Sequence, residues 1–227
     1  MGLTRAAALI LAKELRAEFR TRELLTTSFI FVLVVILMFS YTFDPSASES
    51  RRFGPGLLWI AFLFAGSLML HPSFTREQVN DTLAALRLAP IEPFAILLGK
   101  VLANFLFMLL AEVLLLPVFA VLYDVRLMPA SARLLPVLLV LVLGTLGLTT
   151  VGTVFSAVSS QARMRELLLP LLLLPALTPV LIASTEATVG LLRDPPELAG
   201  NWLSILLAFD VIFLTAAWLF GEYLLEE

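Results

Sequence analysis

Two acidic side chains lie far inside long apolar stretches of the chain, Glu112 in the third stretch and Asp210 in the sixth. An ionisable group at such a depth costs roughly 2.5–3.5 kcal/mol on membrane-insertion scales, so each acid is a candidate for a transport pathway or a proton relay. Alternatively, each acid hydrogen-bonds a neighbouring helix or is protonated inside the bundle, and Asp210 is near enough to the end of its stretch that it could face water. Two isolated acids without an intramembrane base fit a proton-coupled transporter poorly.

The single histidine, His71, directly precedes Pro72 at the end of the second apolar stretch. It could ligate a haem iron, with Tyr41 or Met69 as further ligands, although a lone histidine near a membrane surface more often packs or hydrogen-bonds. One histidine and no cysteine leave no multi-histidine or cysteine metal site in one chain, and no disulfide. We therefore expect no metal site and no covalently bound cofactor.

A polar segment, Thr75–Pro90, separates the second and third apolar stretches. Thr75 and Gln78 have the spacing of a capping box, Asp81 can cap a second turn, and Pro90 ends the pattern. This indicates a short charged helix where a simple turn would connect two membrane spans. The extra helix predicts a partner on that side of the membrane.

No nucleotide-binding or hydrolytic motif accompanies this segment. Gly99-Lys100 stands alone inside an apolar stretch, without the glycine-rich loop that cradles phosphates. Any ATP is therefore bound by another polypeptide, and the chain is not itself an enzyme. The polar segment is the expected docking element for that polypeptide, with these coupling residues: Thr75, Arg76, Glu77, Gln78, Asp81, Thr82, Leu83, Leu86 and Arg87.

The composition is that of an integral membrane protein. Of the 227 residues, 60% are hydrophobic and 15% charged, whereas soluble domains are about 45–50% apolar. A membrane-spanning helix needs about 20 apolar residues, which predicts one all-α, six-span domain over residues 1–227. The six predicted spans are Leu24–Phe43, Gly56–Phe74, Phe94–Leu122, Leu134–Val158, Leu167–Thr185 and Asn201–Tyr223.

Residues 4–22 predict an amphipathic helix on the membrane surface, the alternative being an ordinary polar tail. The apolar positions recur at i, i+3, i+4 and i+7, and Glu18 can pair with Arg22. Lys and Arg number ten on the N-terminal side of the membrane and five on the other, which predicts cytoplasmic N- and C-termini. The apolar positions are Ala8, Leu11, Ala12, Leu15 and Phe19, and Lys13, Glu14, Arg16 and Arg20 form the other face.

Small residues and prolines distinguish the fourth and fifth spans. Gly152, Ser156 and Ser160 form a small-residue face that allows close approach of another helix, within the monomer or in a dimer. In the fifth span, three prolines each remove a backbone hydrogen bond and favour a kink or a break. These are Pro170, Pro175 and Pro179.

The six spans, the N-terminal helix and the polar segment together resemble permeases of type-2 ABC exporters. Residues 74–93 with Gly99-Lys100-Val101 are similar to the CcmB family, the haem-exporter permeases of cytochrome c maturation. In that family an acidic or polar patch precedes LxxLxLxP and a second proline, and a lysine then opens the third span. The matching positions here are Asp81, Thr82, Leu83, Leu86, Leu88, Pro90, Pro93 and Lys100.

The resemblance implies a coupling helix within residues 75–93 and a complex in the cytoplasmic (inner) membrane. Two permeases and two ATPase subunits would form the transporter, joined by a haem-handling membrane protein and a small membrane subunit; nucleic acid is not among the partners. ATP would be used for haem export or for release of a haem-loaded chaperone. Release is slightly favoured, because the sequence offers neither convincing haem ligands nor a cationic site for the haem propionates within the bundle. The alternatives are an exporter of lipid, glycan or drug, and an assembly scaffold that transports nothing.

Overall fold

The computed structural model describes residues 2–42, 48–70, 73–74, 91–124, 133–160, 165–198 and 200–226. Within these ranges the chain is all-helical, with seven helices and no strand. Six of the helices are long and apolar enough to cross a membrane, so the chain is a multi-pass membrane protein. The helices are α1 (Leu3–Thr21), α2 (Glu23–Thr42), α3 (Ser48–Leu70), α4 (Pro93–Leu122), α5 (Leu134–Ser160), α6 (Arg165–Leu191) and α7 (Gly200–Glu226).

Helices α2 to α7 alternate in direction, and α5 lies at the centre, packed against α3, α4, α6 and α7. The close packing depends on glycines of α5. A methyl group on Gly144 would lie 2.4 Å from the Trp59 ring, and one on Gly152 would lie 2.2 Å from Leu70 Cδ1. The Ser156 hydroxyl also donates to the Leu70 carbonyl at 2.7 Å. Gly152 and Ser156 therefore serve packing of α5 on α3 within the monomer.

The six predicted spans are confirmed, but the predicted end of the fifth, Thr185, is wrong because α6 continues to Leu191. The polar residues after Thr185 end the apolar run without ending the helix. The Thr188 hydroxyl donates to the Ser184 carbonyl at 2.7 Å and accepts from Trp59 Nε1 at 3.1 Å. These bonds satisfy the Thr188 hydroxyl inside the bundle, so a polar residue there is tolerated.

Helix α6 is also continuous through its three prolines, Pro170, Pro175 and Pro179, so no break occurs there. Pro175 and Pro179 lie on the exposed side of the helix, whereas Leu177 and Val180 are buried. The proline rings are accommodated on the outer side of α6, because the neighbouring helices pack against its opposite face.

The second span begins earlier than predicted, at Arg52 within α3.

Helix α1 covers the stretch predicted to be amphipathic, while its position on a membrane surface stays a prediction. The predicted apolar face is only partly correct, since Ala8 and Phe19 are exposed whereas Ala7 and Ile10 are buried. The physical reason is that α1 packs along α4, which buries the side of the helix carrying Ala7 and Ile10. Glu14, predicted on the polar face, also turns towards α4.

The predicted pairing of Glu18 with Arg22 is replaced by a helix cap. Arg22 ends α1 in the left-handed conformation (φ 56°), and α2 begins at the next residue. Glu18 Oε1 accepts the backbone N–H of Leu25 at 2.9 Å. Leu25 is in the first turn of α2, where the N–H groups have no partner within the helix and favour a negative charge.

Candidate functional site

Lys100, two turns into α4, has several polar partners among the residues that the structure describes. Its side chain is 1% exposed, and Nζ donates to Glu14 Oε1 of α1 at 3.0 Å. Nζ also donates to the carbonyl of Ser73 and lies 4.8 Å from the centre of the Phe74 ring, within cation–π range. Lys100 therefore joins α1, α4 and the segment that leads into residues 75–90.

Close backbone contact brings α1 to this lysine. A methyl group on Gly99 would lie 2.7 Å from Ile10 Cβ and 2.8 Å from the Ala7 carbonyl oxygen. Only glycine permits α1 to approach α4 at this point, because any larger residue would overlap the α1 backbone. The approach places Glu14, one turn beyond Ile10, within reach of Lys100.

The carboxyl of Glu14 carries a negative charge at neutral pH in this setting. Burial by itself raises its pKa, but the Lys100 ammonium, and to a smaller extent Lys13 at 3.3 Å, outweigh that effect and hold the pKa below the ordinary glutamate value. An opposite charge at this distance favours the ionised form of an acid. Glu14 and Lys100 are thus a charged pair linking two helices.

Asn104, one turn after Lys100, extends the polar network to α5. Its Nδ2 donates to Thr153 Oγ1 of α5 at 2.9 Å and to Ser73 Oγ at 3.3 Å. A cavity of about 30 Å³ beside it is lined by Glu14, Glu18, Ser73 and Asn104, which is enough for one water molecule. Glu18 Oε2 is buried there without a protein partner. Four segments of the chain thus meet around Lys100 and Asn104, which we call the Lys100 network.

Glu112 lies in the middle of α4 and is fully buried. The Thr145 hydroxyl of α5 donates to Glu112 Oε2, while Glu112 Oε1 has no hydrogen-bond partner. The sequence prediction offered a pathway role or a hydrogen bond to a neighbouring span, and the structure contains the hydrogen bond. A pathway role for Glu112 stays a prediction.

Asp210 is also buried, with 2% of its surface exposed, so the idea that it faces water is wrong. It lies on α7 against α5, where a methyl group on Gly147 would be 2.8 Å from Asp210 Oδ1. Neither carboxyl oxygen has a hydrogen-bond partner, and no described cation forms an ion pair with it. The close helix approach at Gly147 explains the burial, because α7 presses Asp210 against α5. Glu112 and Asp210 thus contact two different sides of α5.

The other predicted site residues lie outside the described part of the chain. These are His71 and the nine coupling residues Thr75, Arg76, Glu77, Gln78, Asp81, Thr82, Leu83, Leu86 and Arg87. Their roles, and the coupling helix within residues 75–93, stay predictions. The described residues Ser73 and Phe74 on one side, and α4 from Pro93 on the other, flank that segment.

Sequence reasoning placed Lys100 in the family motif but did not assign it a partner, and it missed Glu14 and Asn104 as site residues. The cost of a lysine inside an apolar stretch could have prompted a search for an acid. Spacing alone cannot select Glu14, since 86 residues separate it from Lys100. Only the packing of α1 on α4 brings them together.

The helical bundle and its buried charged network define a multi-pass membrane protein. Its first helix, α1, packs against its third span, α4, and is joined to it by an ion pair. The family model described as "CcmB protein" matches residues 5–220, and the chain therefore belongs to the CcmB family. Similar proteins include Heme exporter protein B of Pseudomonas aeruginosa, 36% identical over 88% of this chain and 89% of that protein. Heme exporter protein B of Rhodobacter capsulatus is 33% identical over 78% of this chain and 79% of its own length. For the protein of the same name from Escherichia coli strain K12, the match is 31% identity over 41% of this chain and 42% of that protein.

Proposed function

We propose that this chain is the permease subunit of an ATP-driven membrane complex that serves haem export in cytochrome c maturation. Family membership and the name Heme exporter protein B of several relatives support haem as the substrate. The six membrane spans support a permease rather than a peripheral subunit. The excess of Lys and Arg on the α1 side supports cytoplasmic termini in the inner membrane.

ATP hydrolysis takes place on a separate cytoplasmic subunit, because the chain has no phosphate-binding loop. That subunit docks on residues 75–90 and pushes on the helices that flank them. Two copies of the permease pair with two ATPase subunits. A haem-handling membrane protein and a small membrane subunit complete the complex.

The Lys100 network is the observation that supports this coupling most directly. Ser73 and Phe74, the described residues next to the docking segment, both contact Lys100 of α4. Lys100 is in turn paired with Glu14 of α1, and Asn104 continues the network to Thr153 of α5. A displacement of the docking segment is therefore passed to α1, α4 and the central helix α5 together.

Charge reversal in the docking segment tests the proposal. We expect Glu77→Lys/Asp81→Lys to reduce co-purification of the ATPase subunit with the permease, while the permease still inserts in the membrane. ATP turnover by the purified complex and the yield of mature cytochrome c should fall together. The control is Glu197→Lys, which reverses the charge of one exposed glutamate at the opposite end of the bundle.

The outcomes separate a docking defect from a general loss of the protein. Retained co-purification and normal ATP turnover in the Glu77→Lys/Asp81→Lys variant would contradict docking at this segment. Equal loss in the Glu197→Lys control would indicate that charge reversal harms the complex wherever it is placed. A permease that functions without nucleotide would instead support an assembly scaffold.

A further inference from the structure

A large cavity lies between the start of α3 and the end of α6, at the end of the bundle opposite α1. Its volume is about 910 Å³, within the usual range of small-molecule sites. A second hollow of about 380 Å³ continues from it along the outer side of α3 and α6. Gly56, Thr185 and Glu186 border both spaces, so together they form one site, which we call the α3–α6 cavity.

The mouth of the α3–α6 cavity carries two arginines from different elements. Arg52 lies in the N-terminal part of α3, and Arg193 directly follows α6. Both are exposed, and no described carboxylate forms an ion pair with either guanidinium. Asp194, the neighbouring acid, is instead bound by Arg133 at 3.2 Å. Guanidinium groups bind carboxylates with two parallel hydrogen bonds, so the mouth suits a ligand that bears two acidic groups.

The inner part of the α3–α6 cavity is apolar and opens towards the lipid. Ile60 of α3 and Leu174 and Ile182 of α6 line it with nearly half of their surface exposed, at 47%, 48% and 51%. A broad apolar body can therefore enter sideways and lie between the two helices. The site thus combines an apolar slot with a cationic rim.

We propose that the α3–α6 cavity binds haem through its ring and its two propionates, and not through its iron. This inference rests on the proposed function, which makes haem the substrate. The two propionates match Arg52 and Arg193, and the ring matches the apolar slot. None of the described residues that line the cavity is His, Cys, Met or Tyr, so the usual protein ligands of haem iron are absent from that lining. A substrate held without an iron–ligand bond can leave readily, as export requires.

Glu186 distinguishes haem from an aminophospholipid as the occupant. It lies where the mouth meets the apolar slot, and its carboxylate repels the propionates. The variant Glu186→Gln should therefore tighten haem binding. An aminophospholipid would respond in the opposite way, because its ammonium group gains from Glu186 while its phosphate binds the arginines.

The experiment uses the purified full-length chain in detergent and zinc protoporphyrin IX, which is fluorescent and contains no iron. We expect saturable binding by fluorescence anisotropy, and loss of that binding for the dimethyl ester, whose propionates are uncharged. The variant Arg52→Gln/Arg193→Gln should weaken binding about tenfold or more, since charge-assisted hydrogen bonds are lost. The control Arg5→Gln/Arg20→Gln removes the same charge from exposed positions of α1 and should bind like wild type.

Each contrary result overturns the inference. Equal binding of the ester, or unchanged binding by Arg52→Gln/Arg193→Gln, would exclude recognition of the propionates. Displacement of the porphyrin by an aminophospholipid, with weaker binding in Glu186→Gln, would make the cavity a lipid site. Binding that disappears when two permease chains associate would make it an interface between copies. If any of these occurs while the ATPase still co-purifies and cytochrome c matures, this inference fails and the proposed function stands.

Discussion

Replacing Glu14 with Gln tests whether its ion pair with Lys100 holds α1 against α4. The substitution preserves the shape of the side chain and a neutral hydrogen bond to Lys100, but it removes the negative charge. Loss of one member of a buried ion pair costs about 3–5 kcal/mol. Because the Glu14 side chain is 23% exposed and Gln keeps a neutral bond of roughly half the strength, we expect the docked state of α1 to lose about 2 kcal/mol.

Amide hydrogen exchange of the purified full-length protein reports this loss, since α1 without its packing on α4 opens its own backbone hydrogen bonds more readily. A change of about 2 kcal/mol corresponds to roughly 30-fold faster exchange within α1. Exchange in α5 should change much less, because α5 is held by several other helices. The control is Arg16→Gln, an exposed residue of the same helix, which should exchange like wild type.

The pH dependence of hydrogen exchange in α1 provides a second test, because the direction of the change is predicted. The pKa of Glu14 is lowered in the folded protein, so its charge stabilises docking above the unfolded pKa of about 4.5. That stabilisation is lost as the pH falls through the lower folded value. Wild-type α1 should therefore exchange faster, relative to intrinsic rates, as the pH falls below about 4.5, and Glu14→Gln should lack this step. Exchange in Glu14→Gln equal to that in Arg16→Gln would refute the role of the ion pair.

Three further substitutions test other parts of the molecule. Gly99→Ala places a methyl group 2.7 Å from Ile10 Cβ and should weaken docking of α1 by roughly 1–3 kcal/mol, measured by the same exchange; Gly200→Ala, with open space around it, should be neutral. Glu112→Gln should lower the yield of mature cytochrome c while the complex still purifies intact, and an unchanged yield would leave Glu112 a structural role. His71→Ala should leave haem content unchanged by absorption spectroscopy, and loss of a haem band would make His71 a ligand.

Much of the architecture followed from the sequence because the membrane imposes simple length and polarity rules. Runs of about 20 apolar residues must be helices, since a membrane offers no water to the backbone. The predicted end of the fifth span was wrong where a polar residue finds hydrogen-bond partners inside the bundle. Thr188 continues α6 beyond the predicted end because it bonds Trp59 and the Ser184 carbonyl, and such partners are distant in sequence.

The residues of the candidate site also include some features that the sequence predicts and others that depend on helix packing. Apolar context identified Glu112 as a buried acid, and its hydrogen bond to α5 was one of the predicted alternatives. For Asp210, one of the alternatives was wrong: its depth along the helix suggested that it could face water, whereas the packing of α7 on α5 at Gly147 buries it. Depth along a helix can be counted from the sequence, but the side of the helix that meets a neighbour cannot.

Composition, length and local motifs were enough to predict the membrane class, the six spans and the resemblance to the CcmB family. Helix packing, which those features do not reveal, pairs Lys100 with Glu14 and brings Arg52 and Arg193 to one cavity. A buried charge needs a partner at about 3 Å, wherever in the chain that partner lies. Helix packing decides which residues meet this condition, and it therefore determines which charged side chains of this chain lie next to each other.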